Sequence, residues 1–104
     1  MAYRVIITDR AMRQFDRYLD YVVQTLKNRQ AAASILRDFR QTANELSVSA
    51  GSMKYLDDPE LAARGYRKLG FQRHNYLMIY RIIGDSAVVE AVFHTMQDYE
   101  SALR

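Results

Sequence analysis

Two amphipathic stretches separated by a two-residue break constrain the fold of this chain more than any other feature. Met12, Phe15, Leu19, Val22 and Leu26 recur at the spacing of one helical face, with Arg13, Asp16, Arg17 and Asp20 off it. Lys27-Asn28 interrupts the pattern. Ala32, Ile35, Leu36, Phe39, Ala43 and Leu46 then resume it, with Asn28 placed to cap the second helix. So short a break makes the two helices antiparallel neighbours, and the apolar stripes of such a hairpin need a third surface to cover them.

Strands on either side supply that surface. Tyr3 to Ile7 is β-branched and aromatic, and Thr8-Asp9 follows as a helix-capping pair, which predicts a first strand and then a helix start. Between Ser47 and Gly65 the residues turn small and polar; Asp58-Pro59-Glu60 and Gly65 read as the cap, first-turn proline and closing glycine of one short helical turn in a connector. Three runs of strand character come next: Tyr66 to Phe71, Tyr76 to Ile83 and Ala87 to Phe93. Arg73-His74-Asn75 and Gly84-Asp85-Ser86 punctuate them, which predicts an antiparallel meander. Thr95 to Arg104 has room for a closing short helix. The order β-α-α-β-β-β predicts an α+β fold, a helical hairpin on one face of a small, mostly antiparallel sheet. The first strand's partner is not readable from the pattern.

Composition bounds the function. A chain of 104 residues makes one domain, 1–104, with a core of ordinary apolar content at 49% hydrophobic residues. No 20-residue apolar run and no basic-then-apolar leader is present, which points to the cytoplasm and away from the membrane. With no cysteine and only His74 and His94, disulfides, thiolate chemistry and histidine-built metal sites are not expected, and no cofactor is implied. The formal charge is +3, but its distribution is uneven. Arg64, Arg67, Lys68, Arg73 and Arg81 lie in a stretch without a single acid, leaving ten cations against twelve acids, or −2, elsewhere. Convergence of those five cations on one water-accessible surface is the expectation, with a polyanion or an acidic protein segment as the guest.

The layout, with Gly65-Tyr66-Arg67-Lys68-Leu69, Asn75-Tyr76-Leu77-Met78-Ile79-Tyr80-Arg81-Ile82, Val88-Val89-Glu90-Ala91-Val92-Phe93-His94 and Asp98-Tyr99-Glu100, resembles the RelE/ParE superfamily of toxins from bacterial type II toxin–antitoxin modules. The resemblance covers nearly the whole chain. It implies the same hairpin-on-sheet fold and a cognate antitoxin whose C-terminal part wraps the toxin in a hetero-oligomer. It also implies one of two targets: RelE-like toxins cut messenger RNA in the ribosomal A site, and ParE-like toxins poison DNA gyrase.

Metal-independent RNA cleavage needs a group to deprotonate a 2′-hydroxyl, cations on the pentacovalent phosphate, and an acid for the leaving oxygen. By the resemblance that set would be Arg67, Lys68, Arg81 and His94. Two positions depart from the RelE pattern. Leu77 stands where an arginine commonly follows the tyrosine aligned with Tyr76, and Gln97 stands in a region usually rich in arginine. His94 and Tyr99 offer partial substitutes, although a histidine ending a strand also has purely structural uses. Alternation puts Arg67 and Arg73 on one sheet face and Lys68 on the other. Edge-strand cations also serve simply to prevent aggregation, and the helix arginines read as solvent-facing charges. The departures favour a ParE-like toxin that binds a protein target such as gyrase through Arg64, Arg67, Lys68, Arg73, Arg81 and Tyr99. A RelE-like ribosome-dependent endoribonuclease is the alternative, and a member that keeps antitoxin binding without toxicity is a third.

Overall fold

The computed structural model describes residues 2–104. Strand β1 (Arg4–Ile7) leads through Thr8, whose hydroxyl accepts from the Ala11 N–H at 3.1 Å, into helix α1 (Asp9–Asp20). The apolar spacing predicts one helix as far as Leu26, but α1 ends in a π-helical turn (Tyr21–Thr25). The wider winding leaves Val22 buried and turns Tyr21 and Leu26 outward, to 55% and 56% exposure. Lys27, at φ 55°, reverses the chain, and Asn28 caps helix α2 (Arg29–Ser49) by accepting from the Ala31 N–H at 2.9 Å.

The connector is more than a link. A 3₁₀ turn (Ala50–Ser52) follows α2; then Tyr55 bridges Arg67, and the Leu56 N–H donates to the Tyr66 carbonyl at 3.0 Å, so this stretch lines the sheet edge. Asp58 caps helix α3 (Pro59–Ala63), and Gly65, at φ 90°, closes it in the left-handed conformation that glycine adopts without strain. Strands β2 (Arg67–Gly70), β3 (Tyr76–Ile83) and β4 (Ser86–His94) then form the meander, and a short helix α4 (Tyr99–Leu103) ends the chain.

The sheet order is β1-β4-β3-β2, with β1 parallel to β4 and the other pairs antiparallel. Its class and connectivity are α+β as expected. β1 covers only Ser86 to Val89 of β4. Between β3 and β4 the register shifts: Ile79 faces Ala91 and Tyr80 faces Val89, so Glu90 is left over as a bulge and the side of β4 that each later residue presents changes.

The hairpin packs on one sheet face. Phe15 and Phe39 stack with ring centroids 4.3 Å apart, Phe71 lies against both, and Tyr76, Met78, Tyr80, Val89 and Val92 form the sheet side of this core. A smaller second core, unread in the sequence, sits on the opposite face, where Leu56, Leu61, Leu77, Ile79, Ala91 and Phe93 lie beneath α3 and α4. Asp38 of α2 is buried and holds the β2–β3 loop. Its Oδ1 accepts from the Gln72 N–H at 3.1 Å, and its Oδ2 from Arg73 and His74 at 2.9 and 2.8 Å. Ser34 joins His74 Nε2 at 2.9 Å beside it. Among the described residues no helix is long and apolar enough to cross a membrane.

Candidate functional site

The five cations of the acid-free stretch do not converge. Arg64, at the end of α3, pairs with Glu60 at 2.6 Å. Arg67 projects to the hairpin side of β2, donating to the Met53 carbonyl at 2.7 Å and the Tyr55 hydroxyl at 2.8 Å, with its guanidinium 4.0 Å from the Tyr55 ring centroid. Lys68 points to the opposite face, where its Nζ donates to Tyr99 Oη at 3.2 Å. Arg73 lies exposed in the loop that Asp38 holds against α2. Arg81 makes an ion pair with the bulged Glu90 and lies 5.1 Å over the Tyr66 ring. The expectation of one positive surface is therefore corrected, for two physical reasons. Strand alternation separates Arg67 from Lys68, and the acids that bind Arg64 and Arg81 come from outside the stretch over which the charge was counted.

The four residues considered for RNA cleavage are divided in the same way. Lys68 and Arg81 are on the α3–α4 side of the sheet. Arg67 and His94 are on the hairpin side, where the His94 ring meets Tyr76 edge-on at 5.2 Å and its Nδ1 accepts from the Met96 N–H at 3.1 Å. The structural reading of His94 as a histidine ending a strand describes this contact, with the Met96 backbone as its partner. A single scissile phosphate needs its base, acid and cations within hydrogen-bond reach of one point. These four do not share one.

Lys68 does have a groove of its own. A cavity of about 460 Å³ is lined by Met53, Lys54, Lys68, Leu69, Leu77 and Tyr99. The bond to Tyr99 holds the Lys68 ammonium above its ordinary pKa, against partial desolvation, and Asp57 and Glu100 add to the effect. Lys68 is thus a fixed cation at neutral pH, not a proton acceptor. Leu77 is buried in the groove's floor and belongs to the second core. Helix α4 walls the groove. Tyr99 packs 6.2 Å from Phe93, Glu100 accepts from the Asp58 N–H at 3.0 Å, and Arg104 pairs with Asp58. The Leu61 N–H, helped by Arg104, lowers the Asp58 pKa, and Ser101 lowers that of Asp98, the α4 cap. Tyr99, expected as a partner-binding residue, is half-buried as part of this clasp.

Lys54 and Tyr55 were passed over in the sequence because the connector carries no strand pattern. Tyr55, a large aromatic in a polar stretch, was the available signal. Among the described residues no group of three or more histidine or acidic side chains is placed to share a metal ion.

A family model described as the ParE toxin of type II toxin–antitoxin system, parDE, matches residues 5–99. Among solved structures, a chromosomal ParDE toxin–antitoxin system from P. aeruginosa superposes with a TM-score of 0.72 at 18% identity, over 89% of this chain and 96% of that one. A chain of the toxin–antitoxin complex RelBE2 from Mycobacterium tuberculosis gives a TM-score of 0.57 at 20% identity, over 90% and 99%. No curated protein sequence matches significantly.

Proposed function

The chain belongs to the ParE toxin family of type II toxin–antitoxin systems, and from that premise we propose that it inhibits DNA gyrase by binding it and is silenced by a cognate antitoxin. The observation that carries the choice of target class is the division of Arg67, Lys68, Arg81 and His94 between two sheet faces, with buried Leu77 in the floor of the Lys68 groove. Such a surface suits contact with a protein and lacks a centre for phosphate chemistry. Toxin–antitoxin assemblies among the similar folds support the antitoxin as partner.

Expression of the chain alone in bacterial cells tests the reading. Growth arrest with gyrase-dependent DNA breaks and intact messenger RNA is the expected outcome. Arrest with messenger RNA cut at ribosomes, lost in Lys68→Ala or Arg67→Ala, would replace it with the endoribonuclease reading, and unimpaired growth would point to a member without toxicity.

A further inference from the structure

The outer face of α2, turned away from the sheet, carries charge of one sign only. Its exposed positions from Arg29 to Asn44 hold three arginines, three amides and one alanine, with neither an acid nor an aromatic ring. At about 100° per residue, Arg29, Arg37 and Arg40 fall within a sector of about 80°. Neighbouring segments extend the charge. Lys27, in the hairpin turn, borders an open recess with Arg29, and Arg73, in the β2–β3 loop, borders another with Arg37. Among the described residues none of these five cations makes an ion pair. On α1, by contrast, Arg13 and Arg17 are interspersed with Asp16 and Asp20.

The recess between Arg37 and Arg73, of about 220 Å³, also takes in Ser34 and Gln41. Its two sides are tied together. The Arg73 N–H donates to Asp38 Oδ2 at 2.9 Å, and Ser34 joins His74 Nε2 at 2.9 Å, so Arg73 projects from a backbone fixed to the helix that carries Arg37. Asp38 lines the recess too, but its carboxylate is buried and its oxygens already accept three backbone N–H bonds, which leaves the guanidiniums to meet a guest. Two arginines beside hydroxyl and amide donors suit a phosphate group. The rest of the face selects a polymer of them. Arg29 to Arg40 spans about 16 Å, over which duplex DNA presents about five phosphates per strand. Protein interfaces centre on apolar and aromatic side chains, and single-stranded nucleic acids stack on aromatic rings; this face offers neither. We infer that the outer face of α2, with Lys27 and Arg73, docks on the phosphate backbone of duplex DNA without reading its sequence, seating one phosphate between Arg37 and Arg73. The surface is independent of the target choice above; only the preference for DNA over an RNA duplex rests on the gyrase reading.

Fluorescence anisotropy of a labelled DNA duplex of about 20 base pairs and mixed sequence, titrated with the full chain at salt concentrations from about 50 to 200 mM, tests the inference. The logarithm of the binding constant should fall against that of salt with a slope of about −4, as four or five phosphate contacts require. Arg37→Ala, Arg40→Ala and Arg73→Ala, all at exposed positions, should each weaken binding about three- to tenfold, make the slope shallower by about one, and do so alike for duplexes of different sequence. Arg10→Ala, at an exposed position of α1, should stay within about twofold. Melting curves of the variants separate lost contacts from lost folding. Absence of saturable binding at about 50 mM salt, or binding that survives Arg37→Ala, Arg40→Ala and Arg73→Ala combined, overturns the inference. Tighter binding to a single strand of the same length would also overturn it, and tighter binding to an RNA duplex would overturn the choice of DNA. No gyrase enters the measurement, so its failure leaves the target reading standing, and the growth and messenger RNA assays decide that reading without it.

Discussion

Asp38→Ala is the substitution whose effect the structure specifies most fully. The carboxylate is 1% exposed and accepts three backbone N–H bonds, from Gln72, Arg73 and His74. Hydrogen bonds to a charged group contribute about 1.5–3 kcal/mol each. Gln72 and Arg73 are exposed, so water recovers part of that when the carboxylate goes. Halving the sum for this recovery leaves about 2–4 kcal/mol, a large share of the stability of a domain this size, with a fall in Tm of at least about 10 °C. Asp38→Asn should fall between, because its amide nitrogen would face one of the donors. Urea denaturation followed by circular dichroism measures the change, with the m-value as a check on two-state behaviour. A loss below about 1 kcal/mol for Asp38→Ala, or amides 72–74 that exchange no faster, would refute the assignment of this carboxylate as the anchor of the β2–β3 loop.

Other outcomes follow from the same packing. Leu77→Arg places a guanidinium in the second core without an acid to meet it; it should cost several kcal/mol and yield no RNA cleavage, as a melting curve and a ribosome assay would show. Tyr80→Phe removes a buried hydroxyl that donates to the Ala50 carbonyl at 2.7 Å and should cost about 1–2 kcal/mol by denaturant titration. Acid should loosen α4 before the rest. Asp58 and Asp98 have lowered pKa values, so their contribution is present above the ordinary aspartate value of about 3.9 and fades as pH falls through the lowered values. Faster amide exchange in α4 than in α2 as the pH drops below about 4 checks this.

The sequence disclosed what local chemistry decides. Thr8, Asn28 and Asp58 were legible as caps, Lys27-Asn28 as the hairpin break, and Tyr76 to Ile83 as a strand, because each depends on neighbouring residues. The parallel pairing of β1 with β4 was not, since non-local pairing leaves no periodic trace in a four-residue strand. Leu26 misled because a π-helical turn shifts the helical phase without changing the apolar spacing. The candidate site suffered most. Glu60 and Glu90 neutralise Arg64 and Arg81 through contacts that a charge count along the chain does not register, and the bulge at Glu90 redirects β4 beyond it. Support for the toxin reading therefore rests on the ParE family match and on the separation of the candidate residues, not on a converging positive surface.

The central claim is inhibition through protein contact, without RNA chemistry. Its most direct test is purified chain added in parallel to gyrase with relaxed plasmid and to ribosomes carrying messenger RNA. Lost supercoiling with trapped, cleaved plasmid, prevented by prior addition of the antitoxin, is the expected result, together with uncut message. Message cut in the A site beside undisturbed supercoiling would contradict it.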